Sequence, residues 1–155
     1  MNTPRYLHKD FHGALSCGFQ YVKDNYGYEA LRDYWRQVAV GCYGRLIEAM
    51  KTRGLSALED HLRDIFTIEG AEFELYQEGD SLVLKVQRCP AIHHMKEFGY
   101  PIAEDFCEHT RVVNGEICRQ AGFEAECDYD QGAGRCVQRF RRAMNGARGD
   151  EVRGA

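Results

Sequence analysis

The chain has 155 residues with a formal net charge of -4, room for one domain and no basic surplus of the kind a nucleic-acid backbone selects. Hydrophobic residues at 44% and charged residues at 28% are ordinary for a globular protein that buries a core without staples. No apolar run approaches the roughly 18 residues that span a bilayer.

The opening MNTPRYLHKDFHGALS carries charges and no apolar run before a cleavage site, so a cytoplasmic protein is expected. The seven cysteines then read as reduced thiols, and no CxxC pair suggests a zinc ribbon or finger. The short basic cluster Arg139, Arg141 and Arg142 reads as a solvated strand end.

Residues 6–25 read as a first helix, with Leu7, Phe11, Leu15, Phe19 and Val22 on one face. Residues 28–52 read as a second, longer helix burying Leu31, Trp35, Val38, Leu46, Ile47 and Met50. Gly41 and Gly44 weaken its middle and mark a close crossing or a break. A third helix is expected over 55–68, opened by a capping box of Ser56 and Glu59 and striped by Leu58, Leu62, Ile65 and Phe66.

The period then changes to two. Residues 72–76 and 81–86 alternate around the turn Glu78-Gly79-Asp80, which predicts a hairpin with Phe73, Leu75, Leu82, Leu84 and Val86 inward. Pro90 suits the first turn of a short helix over 90–97, and Gly99 and Pro101 stop it. A long helix is expected over 103–119, with Phe106, Val113 and Ile117 on its apolar side. Residues 123–127 and 135–140 form a second hairpin around a turn at 130–134. The expectation is one α+β domain over 1–142, in which N-terminal helices pack on a small antiparallel sheet of two hairpins with an intervening Cys- and His-bearing helix. Residues 143–155, rich in glycine and mixed charge, read as a disordered tail.

Chemistry concentrates between Arg88 and Cys118, which hold three of the seven cysteines and three of the six histidines. On a helix turning about 100° per residue, Cys107, Asn114 and Cys118 share a face, flanked by Thr110 and Arg111. Cys107 and His109, two apart, point in nearly opposite directions and do not chelate one ion. Cys89, at a strand end, and His93 or His94, on the short helix, are the partners within reach of Cys107.

Two kinds of site follow. A cysteine activated by histidine attacks an electrophilic carbon. Alternatively, Cys89, Cys107 and His94 bind zinc, which activates water. Against both stands packing, with Cys107 and Cys118 as small core residues and His93 and His94 facing solvent. His8 and His12 have the i,i+4 spacing of a metal pair and also the spacing of two ordinary surface histidines. Cys17 and Cys42 read as helix packing residues, and His61 has no evident role. Cys127 and Cys136 read as cross-strand neighbours. Tyr21, Tyr26, Tyr34, Tyr43 and Trp35 read as core and boundary.

His12-Gly13, Asn25-Tyr26-Gly27, Cys89-Pro90, Phe106-Cys107-Glu108, Val113-Asn114, Ile117-Cys118 and Gly134-Arg135-Cys136 together resemble the L-2-amino-thiazoline-4-carboxylic acid hydrolase-like family over about residues 8–142. That resemblance implies hydrolytic opening of a cyclic amidine-like thiazoline to S-carbamoyl-cysteine. It implies a site of Cys89, Cys107, His93 and His94, with one cysteine as nucleophile or zinc ligand and a histidine as base. Glu108 would orient that histidine, Asn114 or Arg111 would hold the substrate carboxylate, and His12 joins the substrate-binding set.

The order of elements is also similar to the vinyl-4-reductase and TRAPP-like domains, which implies a non-catalytic domain for a small apolar ligand and, in several cases, a dimer. The two functional expectations are therefore a C–N hydrolase and a ligand-binding or sensor domain. The expected partners are a small molecule and a second copy through the helical face, with no nucleic acid and no membrane.

Overall fold

The computed structural model describes residues 8–144. Six helices and four strands follow in chain order. They are α1 (Phe11–Tyr26), α2 (Tyr28–Cys42), α3 (Gly44–Arg53), α4 (Leu55–Glu69), β1 (Glu72–Glu78), β2 (Ser81–Arg88), α5 (Pro90–Glu97), α6 (Glu108–Ala121), β3 (Phe123–Asp130) and β4 (Arg135–Arg142). The expected tail beyond residue 144 and the expected start of the first helix at residue 6 lie outside the described residues.

The sheet is antiparallel, in the order β1-β2-β4-β3, so the two hairpins join through their second strands. Registers Leu82↔Phe140, Leu84↔Gln138 and Val86↔Cys136 set one row of side chains. Phe73 and Leu75 extend that face through β1, and Ala125 and Cys127 through β3. Because alternate residues share a face, this is the face the helices cover. Leu82, Leu84 and Phe140 are completely buried on it. Each such side chain contributes roughly 1.5–3 kcal/mol by leaving water.

The opposite face is charged. Arg139 reaches Glu78 at 2.5 Å, and Arg141 pairs with Glu126 at 2.7 Å and Glu124 at 3.4 Å. Arg142, two residues beyond Phe140 and so on the helix-covered face, lies over the Phe123 ring at 5.1 Å. Arg139 and Arg141 are thus paired with acidic residues of β1 and β3.

Three expectations about helices change. The helix over 28–52 is two helices meeting at Tyr43, whose φ of -110° and ψ of 17° leave the helical path beside Gly41 and Gly44. The helix expected from 103 begins at Glu108. The amide of Ala103 donates to Ser16 Oγ at 2.7 Å and that of Cys107 to Gln131 Oε1 at 2.8 Å, so side chains hold this loop in an irregular path. Ser16 Oγ in turn donates to the Pro101 carbonyl, which straps α1 to the loop. The Ser56–Glu59 capping box is absent: Ser56 Oγ donates back to the Arg53 carbonyl, and Glu59 binds Arg63 and Gln77.

Cys17 and Cys42, expected to pack, are both exposed. Tyr21, Tyr26 and Tyr34 are exposed too, whereas Trp35 is only 1% exposed. No described helix is long and apolar enough to cross a membrane.

Candidate functional site

Between the helical layer and the inner sheet face lies a cavity of about 300 Å³. A void of roughly 150 Å³ walled by apolar side chains already accepts benzene, so this one is large enough for a small organic molecule. α1 contributes Leu15 and Phe19, α2 Trp35, α4 Leu62 and Phe66, and α6 Val113 and Ile117. Phe19 is the centre of an aromatic cluster, with ring centroids 5.4 Å from Trp35 and 5.8 Å from Phe106.

Polar groups are few and spread around this wall. Glu69 ends α4, where Gly70 adopts φ 73° and ψ 37° and Ala71 donates its amide to the Phe66 carbonyl. That left-handed cap fixes where the Glu69 carboxylate emerges. Opposite it, on α1, is His12, its Nε2 3.8 Å from Glu69 Oε2. Burial, and then the nearby His94, His109 and Lys9, push the His12 imidazole down to about 4. Burial pushes the Glu69 carboxyl up. Both shifts favour the uncharged forms. His109, packed against Phe19 and Phe106, gives its Nδ1 proton to the Phe106 carbonyl.

At the sheet, Asn114 donates to Gln138 Oε1 at 2.7 Å, and Gln138 Nε2 lies 3.5 Å from Cys136 Sγ. Gln138 is 1% exposed, so Asn114→Ala strands its carbonyl oxygen. Urea unfolding should show a loss of about 1–3 kcal/mol. A loss below about 0.5 kcal/mol would mean that Gln138 has another partner.

The residues singled out in the sequence divide into two groups. Cys89, Cys107, Asn114 and His12 line the cavity. His93, His94, Glu108 and Arg111 do not. His94 Nε2 lies 3.0 Å from Asp10 Oδ1, which also accepts a 2.7 Å hydrogen bond from the Tyr100 hydroxyl. His93 lies against the turn at Gly134, 3.3 Å from where a Cβ would stand. Glu108 orients no histidine; it accepts from Tyr129 at 2.8 Å and pairs with Arg111 at 3.0 Å. Arg111 spends its remaining donors on the Cys127 carbonyl and lies over the Tyr129 ring. Its guanidinium is therefore tied to β3.

The thiols are all free. Burial, with Cys89 and Cys136 nearby, pushes Cys107 up to about 12. Burial also raises Cys89, although the Ala91 and Ile92 amides at the start of α5 act the other way. Both cavity thiols are thus protonated near neutral pH and poor nucleophiles. Cys127 and Cys136 are diagonal neighbours, since Cys127 faces Gln138 across the ladder. They share a hydrogen bond that raises Cys127 and lowers Cys136. Neither lines the cavity. Among the described residues, no three His, Cys, Asp or Glu side chains group to hold a metal ion, so Cys89, Cys107 and His94 do not fit zinc.

Comparison with family models and with curated proteins returns no match. The motif resemblance to the thiazoline hydrolases therefore gains no support from either. Among solved structures, the chain is similar to a trafficking protein particle complex subunit 3 from Naegleria fowleri covalently bound to palmitic acid, at 13% identity and a TM-score of 0.49. The match covers 88% of this chain and 98% of that one. A likeness at that level is one of layout alone.

Glu69 and Gln138 are cavity residues that the sequence did not single out, and His109, weighed there only as a metal ligand, is a third. Glu69 precedes a glycine cap and faces His12, which is far away in the chain, so no local pattern announces it.

Proposed function

We propose that this chain is a non-catalytic domain that binds a small apolar ligand in the cavity between its helices and its sheet. The observation that carries this reading is the wall itself, built mainly from aromatic and aliphatic side chains around about 300 Å³. Sites of that size and lining gain most of their affinity from burying apolar surface. The few polar groups suit orientation of a ligand better than attack on one. Both cavity thiols are held protonated, and the histidines expected to activate them lie outside the cavity, His94 on Asp10 and His93 against the turn at Gly134.

Naphthalene is a suitable first probe because it has no polar head. It should raise the Tm of the purified protein with increasing concentration, as linkage requires of anything that binds only the folded state. Val113→Phe, on the cavity wall, should abolish the shift while the variant melts cooperatively. A wild-type Tm unmoved by naphthalene, or a shift that survives in Val113→Phe, contradicts the reading.

A further inference from the structure

The His12 end of the cavity holds an unfilled hydrogen-bonding position. His12 is 6% exposed, lines the cavity, and its Nε2 has no hydrogen-bond partner among the described residues. Glu69 Oε2, 3.8 Å away, is beyond hydrogen-bond range. A buried nitrogen in that state is rare enough in folded proteins to ask for a partner. The Trp35 Nε1 proton, on the same wall, also has no partner among the described residues.

We propose that the occupant is a neutral alcohol, its hydroxyl set between His12 Nε2 and Glu69 Oε2 and its apolar body against the aromatic wall. The inference rests on the ligand-binding reading above and names the ligand class for that site. The gap selects the head group. One oxygen can stand about 2.8 Å from both atoms across a 3.8 Å separation. A hydroxyl can accept from the imidazole N–H and donate to the carboxylate at once. A carboxylate only accepts, so beside an ionised Glu69 no proton would stand between the two, and beside an uncharged one it would still be a buried charge.

An ammonium head could pair with Glu69, but it would bring a buried positive charge beside Lys9, whose charge already opposes one on His12. The length of the body follows from the volume. Taking roughly 30 Å³ for an atom the size of water, about 300 Å³ holds on the order of ten non-hydrogen atoms. Octanol is within that limit.

The test is calorimetric titration of the full chain with octanol, octanoate and naphthalene, in the wild type, His12→Phe and Glu69→Gln. Octanol should bind the wild type roughly tenfold more tightly than octanoate, the difference one well-placed polar interaction makes. His12→Phe should lower the ratio of octanol to naphthalene affinity by about the same factor. Glu69→Gln should narrow the preference for octanol over octanoate, because a carboxamide can donate to a carboxylate.

Octanoate binding the wild type as tightly as octanol overturns the alcohol assignment. So does an octanol-to-naphthalene ratio unchanged in His12→Phe. Should His12→Phe not fold, a preference unchanged in Glu69→Gln overturns it in the same way. Failure of naphthalene itself to bind removes the ligand-binding reading and the alcohol with it, whereas naphthalene binding without a preference for octanol removes the alcohol alone.

Discussion

Trp35→Ala is expected to cost about 3–5 kcal/mol and to lower the Tm by roughly 10 °C, the largest single effect in the fold. Trp35 is 1% exposed on α2 and meets Phe19 edge-on, with ring centroids 5.4 Å apart. Removing the indole forfeits its transfer energy and its ring contact, and the void left behind opens into an existing cavity. Neighbouring side chains cannot close a space that large, so little of the loss is recovered by relaxation. Trp35→Phe separates the causes. It keeps most of the apolar contact and deletes an N–H that has no partner, so its cost should stay near 1 kcal/mol. Urea unfolding of both variants measures this. Equal losses in the two would mean that the indole N–H, and not the packing, carries the stability.

Stability should also fall as pH drops from 6.5 towards about 4. The unfolded His12 takes up a proton below its ordinary value of 6.5, while the folded one resists until about 4, because burial and then His94, His109 and Lys9 oppose the charge. The unfolded state therefore binds more protons throughout that window. The stabilisation is complete above 6.5 and is lost progressively down to about 4, amounting to roughly 3 kcal/mol at most. His61 and His109, both pushed down by burial, act in the same direction. Glu69 acts in the opposite direction: burial raises its carboxyl, so the folded state takes that proton first and gains stability as pH falls. Urea unfolding at about pH 7 and about pH 5 should show the decrease, and His12→Phe should flatten it. A decrease of the same size in His12→Phe would place its origin in other groups.

The sheet was legible because its signals are local. Alternation in 72–76 and 81–86 requires one face to be buried, and Leu82, Leu84 and Val86 are buried on it, although Val83 is buried on the other face as well. Pro90 at the start of α5 was equally direct, since its ring fixes a helical φ and needs no amide partner. The order of helices, hairpin, helices and hairpin read from the periodicity is the order found.

What misled was any inference that needed a long-range partner. The loop before Glu108 has the composition of a helix, and only Ser16 and Gln131, far away in the chain, take the amides that keep it irregular. The residues singled out divide between cavity and surface for a related reason. Cys89, Cys107, Asn114 and His12 belong to elements that converge on the cavity, whereas Arg111 and Glu108 turn to β3, where Tyr129 and the Cys127 carbonyl hold them. A helical wheel places residues on a face, but which face meets the cavity depends on a strand the wheel does not contain. His94 reads as a base beside a cysteine until Asp10 and Tyr100 are placed around it.

The central claim is that an apolar ligand occupies the space among α1, α2, α4 and α6. The measurement that reaches it most directly is intermolecular nuclear Overhauser contact between naphthalene and methyl-labelled protein. The account predicts contacts from Leu15, Leu62, Val113 and Ile117, all on the cavity wall. Contacts confined to Val83 and Val137 on the other face of the sheet, or none at saturating naphthalene, would contradict it.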